Sequence, residues 1–511
     1  MDLVTRFFPG GSSLSAPDYA LVLFLVGLMF FVGFHFSRRE KTTAGFFLGD
    51  RNIPWGVACL SFIATEISAM TIIGVPSTGF RENWNYAQFF IGSASARVVI
   101  AYLFIPAFYQ FHCTTIYEFL KHRFGAETQY AATCFFFVTR LLASGVRLMA
   151  ACVAVSVLMK WHLIPVILLF TVIGIIYIGY GGIKAVVWTN VVQALTFLVA
   201  GLATIYFLLG NIQGGLGAVW QIAGDAGRLN LWNWGPSPLE PNFLSKFFTD
   251  PNILWPAILN GFFGSMAAFG TDHEMMQRLL TVDTRKASQR TMMYSTLGSF
   301  LVLMVFLSIG SLLFVFYKQN PGLPLPAKLD TIYPHFAGSV MPVLLRGLVL
   351  AAIVMASIDS PLASLTASFV TDIYRPLFKP KADEAHYMKV SRRAIVVFAL
   401  ALAVIAYLCS YVDKMLWLAF KVSGVTFGSL LGVFLLGLLT TRKANRANPV
   451  SMLIMAMVNL NLLMLSEFKI FTLGWTWLVI LGTFGTFALS WVLGPILDSE
   501  SYPRSRKAAA A

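Results

Sequence analysis

The sequence predicts an all-α, polytopic membrane protein, and three observations carry that prediction. Of 511 residues, 57% are hydrophobic and only 12% charged, with a mean hydropathy of +0.73, whereas soluble domains carry about 25% charged residues. Apolar segments recur along the whole chain, each long enough to cross a bilayer at about 1.5 Å per residue. Lys and Arg are distributed unevenly among the gaps between those segments, so the net charge of +14 reads as membrane topology rather than nucleic-acid binding.

Thirteen segments have spanning length: about 16–37, 53–79, 85–109, 128–158, 163–181, 186–210, 252–274, 291–317, 339–373, 390–411, 415–440, 449–467 and 473–497. Residues 211–250, rich in Gly, Pro and Trp, and 318–337, with four prolines, are too polar to cross and are placed at one surface. With the N-terminus outside, the cytoplasmic gaps hold 23 Lys and Arg, from Arg38 to Lys507, against nine on the external side. The positive-inside rule then gives an N-out/C-in topology. Forty glycines suit close helix packing in lipid. Five scattered cysteines predict neither a disulfide framework nor a metal site. The first apolar run is too long for a cleaved signal peptide. The absence of long glycosylatable loops and eukaryote-style tails favours a bacterial plasma membrane; a monomer is expected, with membrane lipid and a small solute as partners and no nucleic acid.

Polar chemistry at membrane depth occurs in three places. The first is Pro54 to Pro76, where Glu66 sits mid-segment among Thr65, Ser68 and Thr71. A carboxylate there costs roughly 2.5–3.5 kcal/mol on insertion scales, so it should face a cavity, a solute or a basic partner. Five cations also fall within predicted spans: Arg97, Arg140, Arg147, Arg346 and Lys421. Arg97 and Arg346 are placed nearer a membrane surface. Arg140 and Arg147, seven residues apart on one helix face, are the candidate partners of Glu66. The second place is Ile176 to Asn190, with a turn signal at Gly181-Gly182 and Lys184 at the membrane edge. The third is Ile353 to Phe369, where Ser357, Ser360 and Ser364 share a face, Asp359 borders it and Pro361 interrupts the ladder. Hydroxyls, a carboxylate and carbonyls freed by broken helices are hard oxygen ligands suited to Na⁺, and His and Cys do not cluster.

These residues resemble the sodium/solute symporter family. The resemblance rests on Phe46 to Trp55 (FFLGDRNIPW), SFIATEISAMTIIGVP, IYIGYGGIKAVVWTNVVQ, Gly270 to Leu280, Ser357 to Tyr374 and Gly428 to Arg442. It extends over nearly the whole chain and is strongest toward bacterial sialic-acid and sugar carriers and vertebrate monocarboxylate and vitamin carriers. It implies a LeuT-type core: a leading helix with its link (1–52), two inverted five-helix repeats (53–210 and 252–440) around an external link (211–251), and two accessory helices with the tail (441–511). The helices broken at the core would be those around Ile63–Ser68 and Asn260–Gly264.

The resemblance also implies a main sodium site formed by the carbonyls of Ala64, Ile67 and Ile353 with Ala356 and Ser357, where Ala356 lacks an expected hydroxyl. A second site would comprise Asn190, Asp359 and Ser360, unless Asp359 instead pairs with a basic side chain. Substrate contacts would come from Glu66, Ser68, Thr71, Tyr86, Gln88 and Arg147. The expected function is Na⁺-coupled symport of a sugar, sialic acid, carboxylate or amino-acid-like solute by alternating access, with Na⁺ as coupling ion and no organic cofactor. A proton-coupled carrier using Glu66 or Asp359, and a transporter-like sensor or channel, are the alternatives. No nucleophile–base constellation, phosphate loop or cofactor fingerprint points to an enzyme.

Overall fold

A computed structural model describes residues 14–36, 42–358, 361–411 and 415–499, and its regular elements are all helices. Among the described residues nine helices are long and apolar enough to cross a membrane, or ten if a bent pair starting at Trp55 is one span. The difference from thirteen expected segments has structural reasons. The expected spans 163–181 and 186–210 form one helical run, Leu163–Asn211, in which Gly182 alone leaves helical geometry (φ 56°, ψ −152°). A side chain there would be strained and would place Cβ 2.6 Å from the Phe46 carbonyl oxygen, so this turn requires glycine. The expected spans 339–373 and 415–440 contribute shorter apolar helices, Leu345–Ala356 and Ser423–Leu439.

Two interrupted spans organise the interior. In the first, Trp55–Glu66 and a following half that begins at Ala69 are bent by 56°. Ile67 (φ −80°, ψ 91°) and Ser68 (φ −90°, ψ 172°) form the extended joint. The second starts as Leu254–Ser265, widens to a π-helical turn at Met266–Gly270 and ends as His273–Leu280. Its break lies at Thr271 and Asp272, not at Asn260–Gly264, which stay inside regular helix. Asp272 decides this position: its carboxylate accepts the Glu274 N–H at 2.9 Å and caps the new helix, which a helix-interior aspartate does not do.

Close helix crossings hold these breaks in place. Leu254–Ser265 packs on Gln88–Val99, where a Cβ on Gly92 would lie 2.0 Å from the Ile258 carbonyl oxygen and one on Gly261 2.1 Å from that of Phe89. The backbones therefore touch, as small residues permit between apolar helices. Arg285–Gln319 packs along Ala69–Arg81, and Leu163–Asn211 along Trp55–Glu66. A second buried cluster is aromatic, with Phe104, Phe108, Tyr117, Phe136 and Phe434 at its centre.

Candidate functional site

The first break removes a hydrogen bond from the helix ladder. The Ser68 N–H, which would cap the Ala64 carbonyl in a continuous helix, turns to the Glu66 carbonyl at 3.1 Å. A cavity of about 250 Å³ opens beside it, lined by Glu66, Ser68, Thr71, Tyr86 and Arg147, by Asn260 and Ser265 of the second interrupted span, and by Phe89, Phe90 and Phe269. Aromatic walls with a few convergent polar groups are the usual form of a small-molecule site.

Charge is concentrated around this cavity. Glu66 is paired with Arg97, a fully buried residue that also donates to Ser295 (3.2 Å) and Ser299 (3.4 Å). The Ser299 hydroxyl donates to the other Glu66 oxygen. The Arg97 guanidinium lies over the Phe269 ring, 4.6 Å from its centroid, a favourable cation–π arrangement. Arg140 bridges Asp272 and Glu274, and its Nε donates to Asp272 Oδ2 at 3.1 Å. Arg278 lies 3.9 Å from the other Glu274 oxygen.

These contacts correct two expectations. Arg97, fully buried in the protein, rather than Arg140 or Arg147, is the ion-pair partner of Glu66. Arg346, the other cation placed nearer a membrane surface, pairs with Asp18 at 2.7 Å. Gln88 does not line the cavity. Its amide nitrogen donates to the carbonyls of Asn85 and Asn252, both at 3.0 Å, and its oxygen accepts the Asn233 N–H at 2.9 Å. It anchors the 211–250 link to the helical body. Glu66, Ser68, Thr71, Tyr86 and Arg147 do meet at one cavity.

A second, smaller cavity of about 40 Å³ adjoins the first, sharing Ile67, Ser68 and Arg147, and reaching Thr65, Ala356 and Pro361. It brings the joint of the first interrupted span against the helix carrying Ile353 and Ser357, Leu345–Ile358. Asn190, on Leu163–Asn211, donates its amide to the hydroxyls of Ser61 (3.1 Å) and Thr65 (3.0 Å). Asp359 and Ser360 lie outside the described residues. Ser364 donates to the Pro361 carbonyl at 2.9 Å.

Several residues of the site carried no sequence signal. Ser299, on Arg285–Gln319, and Phe269, in the π-helical turn, reach the cavity only through three-dimensional packing, whereas Asn260 belongs to the segment expected to break. Asp272 and Glu274 were within a quoted motif, and the charge of Arg140 in a predicted span was a usable hint that acidic partners must exist.

Among the described residues, a helical bundle with two interrupted spans beside a largely aromatic cavity that carries a few charged groups has the form of a secondary transporter, in which non-helical backbone at membrane depth lines a site. The sodium:solute symporter family profile matches residues 46–454. The sodium/sialic acid symporter SiaT of Proteus mirabilis is 30% identical over 457 residues, covering 86% of this chain and 88% of that protein. The sodium-dependent multivitamin transporter of Oryctolagus cuniculus is 30% identical across 84% of this chain and 67% of its own length. The solved outward-open, substrate-bound structure of a Na⁺-coupled sialic acid symporter superposes with a TM-score of 0.83 at 24% identity, covering 94% of this chain and 98% of that one. The chain belongs to the sodium:solute symporter family. It is a multi-pass integral membrane protein that couples Na⁺ to the transport of a small organic solute, and it is not an enzyme.

Proposed function

We propose that the solute is a carboxylate, held at its acidic end by Arg147, Ser68 and Thr71, with Tyr86 and the neighbouring phenylalanines against its body. The observation that carries this reading is the meeting of those side chains at one cavity beside the break of the first span. A guanidinium presents a carboxylate with paired donors in a matching planar geometry. The printed names of relatives, sialic acid symporters and monocarboxylate transporters, support the same chemistry.

In this reading Na⁺ occupies the main site formed by Ala64, Ile67, Ile353, Ala356 and Ser357, where it ties the joint of the first span to the Leu345–Ile358 helix. The adjoining small cavity with Ile67 and Ala356 in its wall supports that placement. Asn190, Asp359 and Ser360 form the second cation site. Thirteen spans run N-out to C-in, with inverted repeats at 53–210 and 252–440 flanked by the 1–52, 211–251 and 441–511 segments, and the protein works as a monomer in a bacterial plasma membrane. Loss of Na⁺ to the cytoplasm loosens the joint and releases the solute. Linkage then requires Na⁺ and solute to raise each other's affinity by one common factor.

The test is thermal stability of the purified protein across a panel of carboxylates, amino acids and neutral sugars, in Na⁺ against K⁺. Stabilisation by carboxylates only in Na⁺ is the expected result. Stabilisation by neutral sugars or amino acids in preference to carboxylates would refute the solute class. A pH effect with no Na⁺ effect would refute sodium coupling at these residues.

A further inference from the structure

The Glu66–Arg97–Ser299 cluster is not used by carboxylate binding at Arg147, yet it faces the same cavity. Arg97 is wholly enclosed, whereas the Glu66 side chain keeps 22% of its surface exposed. The arginine is thus spent on holding the carboxylate, and the carboxylate is what the cavity meets. Its two oxygens each receive one protein donor, from Arg97 and from Ser299. A carboxylate has about four lone-pair sites, so each oxygen can accept a further hydrogen bond.

A lone glutamate in this position would attract an amine. Here the neighbouring guanidinium cancels the charge while leaving the acceptors in place, so the pair reads donors rather than positive charge. Arg97 and Ser299 belong to Gln88–Val99 and Arg285–Gln319. The residues around Arg147 in the small cavity come instead from other elements, including Ser144 of Ala126–Met159 and Ala356 of Leu345–Ile358. Glu66 and Arg147 are therefore supported by different walls of the cavity. We infer that Glu66, neutralised and oriented by Arg97, is a specificity-determining residue that accepts hydrogen bonds from hydroxyl groups of the solute, selecting hydroxylated carboxylates over plain fatty or keto acids and over amine-bearing acids. This inference rests on the carboxylate reading of the site.

The experiment uses the full-length protein in nanodiscs with saturating Na⁺. Binding is read from thermal stabilisation with N-acetylneuraminate, glucuronate and gluconate as hydroxylated probes, hexanoate and pyruvate as probes without hydroxyls, and 6-aminohexanoate as the amine probe. A hydroxyl hydrogen bond to a charged acceptor corresponds to roughly tenfold or more in affinity. At least one hydroxylated probe should therefore bind about tenfold tighter than hexanoate, and 6-aminohexanoate should gain nothing over hexanoate. In the paired variant Glu66→Leu with Arg97→Leu, which leaves no unpaired buried charge, that preference should fall to about twofold or less while Na⁺-dependent carboxylate binding persists. A preference for hexanoate, pyruvate or 6-aminohexanoate in the unmodified protein overturns the inference without any variant. So does an unchanged preference in the paired variant. If no carboxylate binds in Na⁺, the carboxylate reading falls, and the inference with it.

Discussion

Replacing Arg140 by methionine is expected to cost a large part of the stability of this protein. Arg140, Asp272 and Glu274 are all buried, and Arg140 bridges both carboxylates. Without the guanidinium, Asp272 retains the Glu274 N–H at 2.9 Å, and Glu274 retains Arg278 at 3.9 Å. Neither contact replaces a bidentate partner. Breaking a buried pair by removing one member costs about 3–5 kcal/mol, and the two orphaned acids put this case toward the upper end. Against a typical total of about 5–15 kcal/mol, Arg140→Met should lower the melting temperature in detergent sharply and cut surface expression. Adding Asp272→Asn and Glu274→Gln removes both stranded charges and should recover the melting temperature to within about 1 kcal/mol equivalent, because neutral isosteres of a broken ion pair are tolerated. An Arg140→Met protein as stable as the parent, or a triple variant no better than the single, would refute the view that this network binds the second interrupted span to Ala126–Met159 by paired charge.

Four further outcomes are expected. Gly92→Ala must move its Cβ from 2.0 Å to an ordinary contact with the Ile258 carbonyl. That separation should break the Ser265–Ser93 hydroxyl contact of 2.8 Å and destabilise by about 1–3 kcal/mol, read as a lower melting temperature. Ala356→Ser supplies the hydroxyl absent from the proposed sodium site and should lower the half-saturating Na⁺ concentration by about fivefold, the equivalent of one net hydrogen-bond-sized interaction of about 1 kcal/mol. Transport assayed against Na⁺ concentration checks it. Gln88→Leu removes three hydrogen bonds, one of them to Asn233 in the 211–250 link, and should lower stability by roughly 1–3 kcal/mol while leaving solute affinity within twofold. Arg147→Lys should weaken carboxylate binding at least tenfold, because an ammonium lacks the planar fork that meets both carboxylate oxygens; solute binding in saturating Na⁺ checks it.

Composition and periodicity were enough for the helical membrane class, because a bilayer demands long apolar segments and internally satisfied backbone, and both leave marks in one dimension. The polar run at Glu66 announced an interrupted span for the same reason: charge at membrane depth is too costly to be incidental. The positions of the breaks were less legible. The first was near its expected place because its polar residues are contiguous. The second moved to Thr271 and Asp272 because a capping aspartate, not the small residues at Asn260–Gly264, stops the helix. Partner choice was not legible at all. Arg97, Arg140 and Arg147 present the same side chain to a sequence reading, and Glu66 had no local reason to prefer one. Only the crossing of Gln88–Val99 beside the first break puts Arg97 against Glu66 and leaves Arg140 to Asp272 and Glu274. The sequence by itself determined that polar groups had to meet inside the membrane. Tertiary structure decided which ones met, because ion pairing depends on separations of a few ångströms between residues far apart in the chain, 31 positions for Arg97–Glu66 and 132 for Arg140–Asp272, and such separations are set by helix packing rather than by any local pattern.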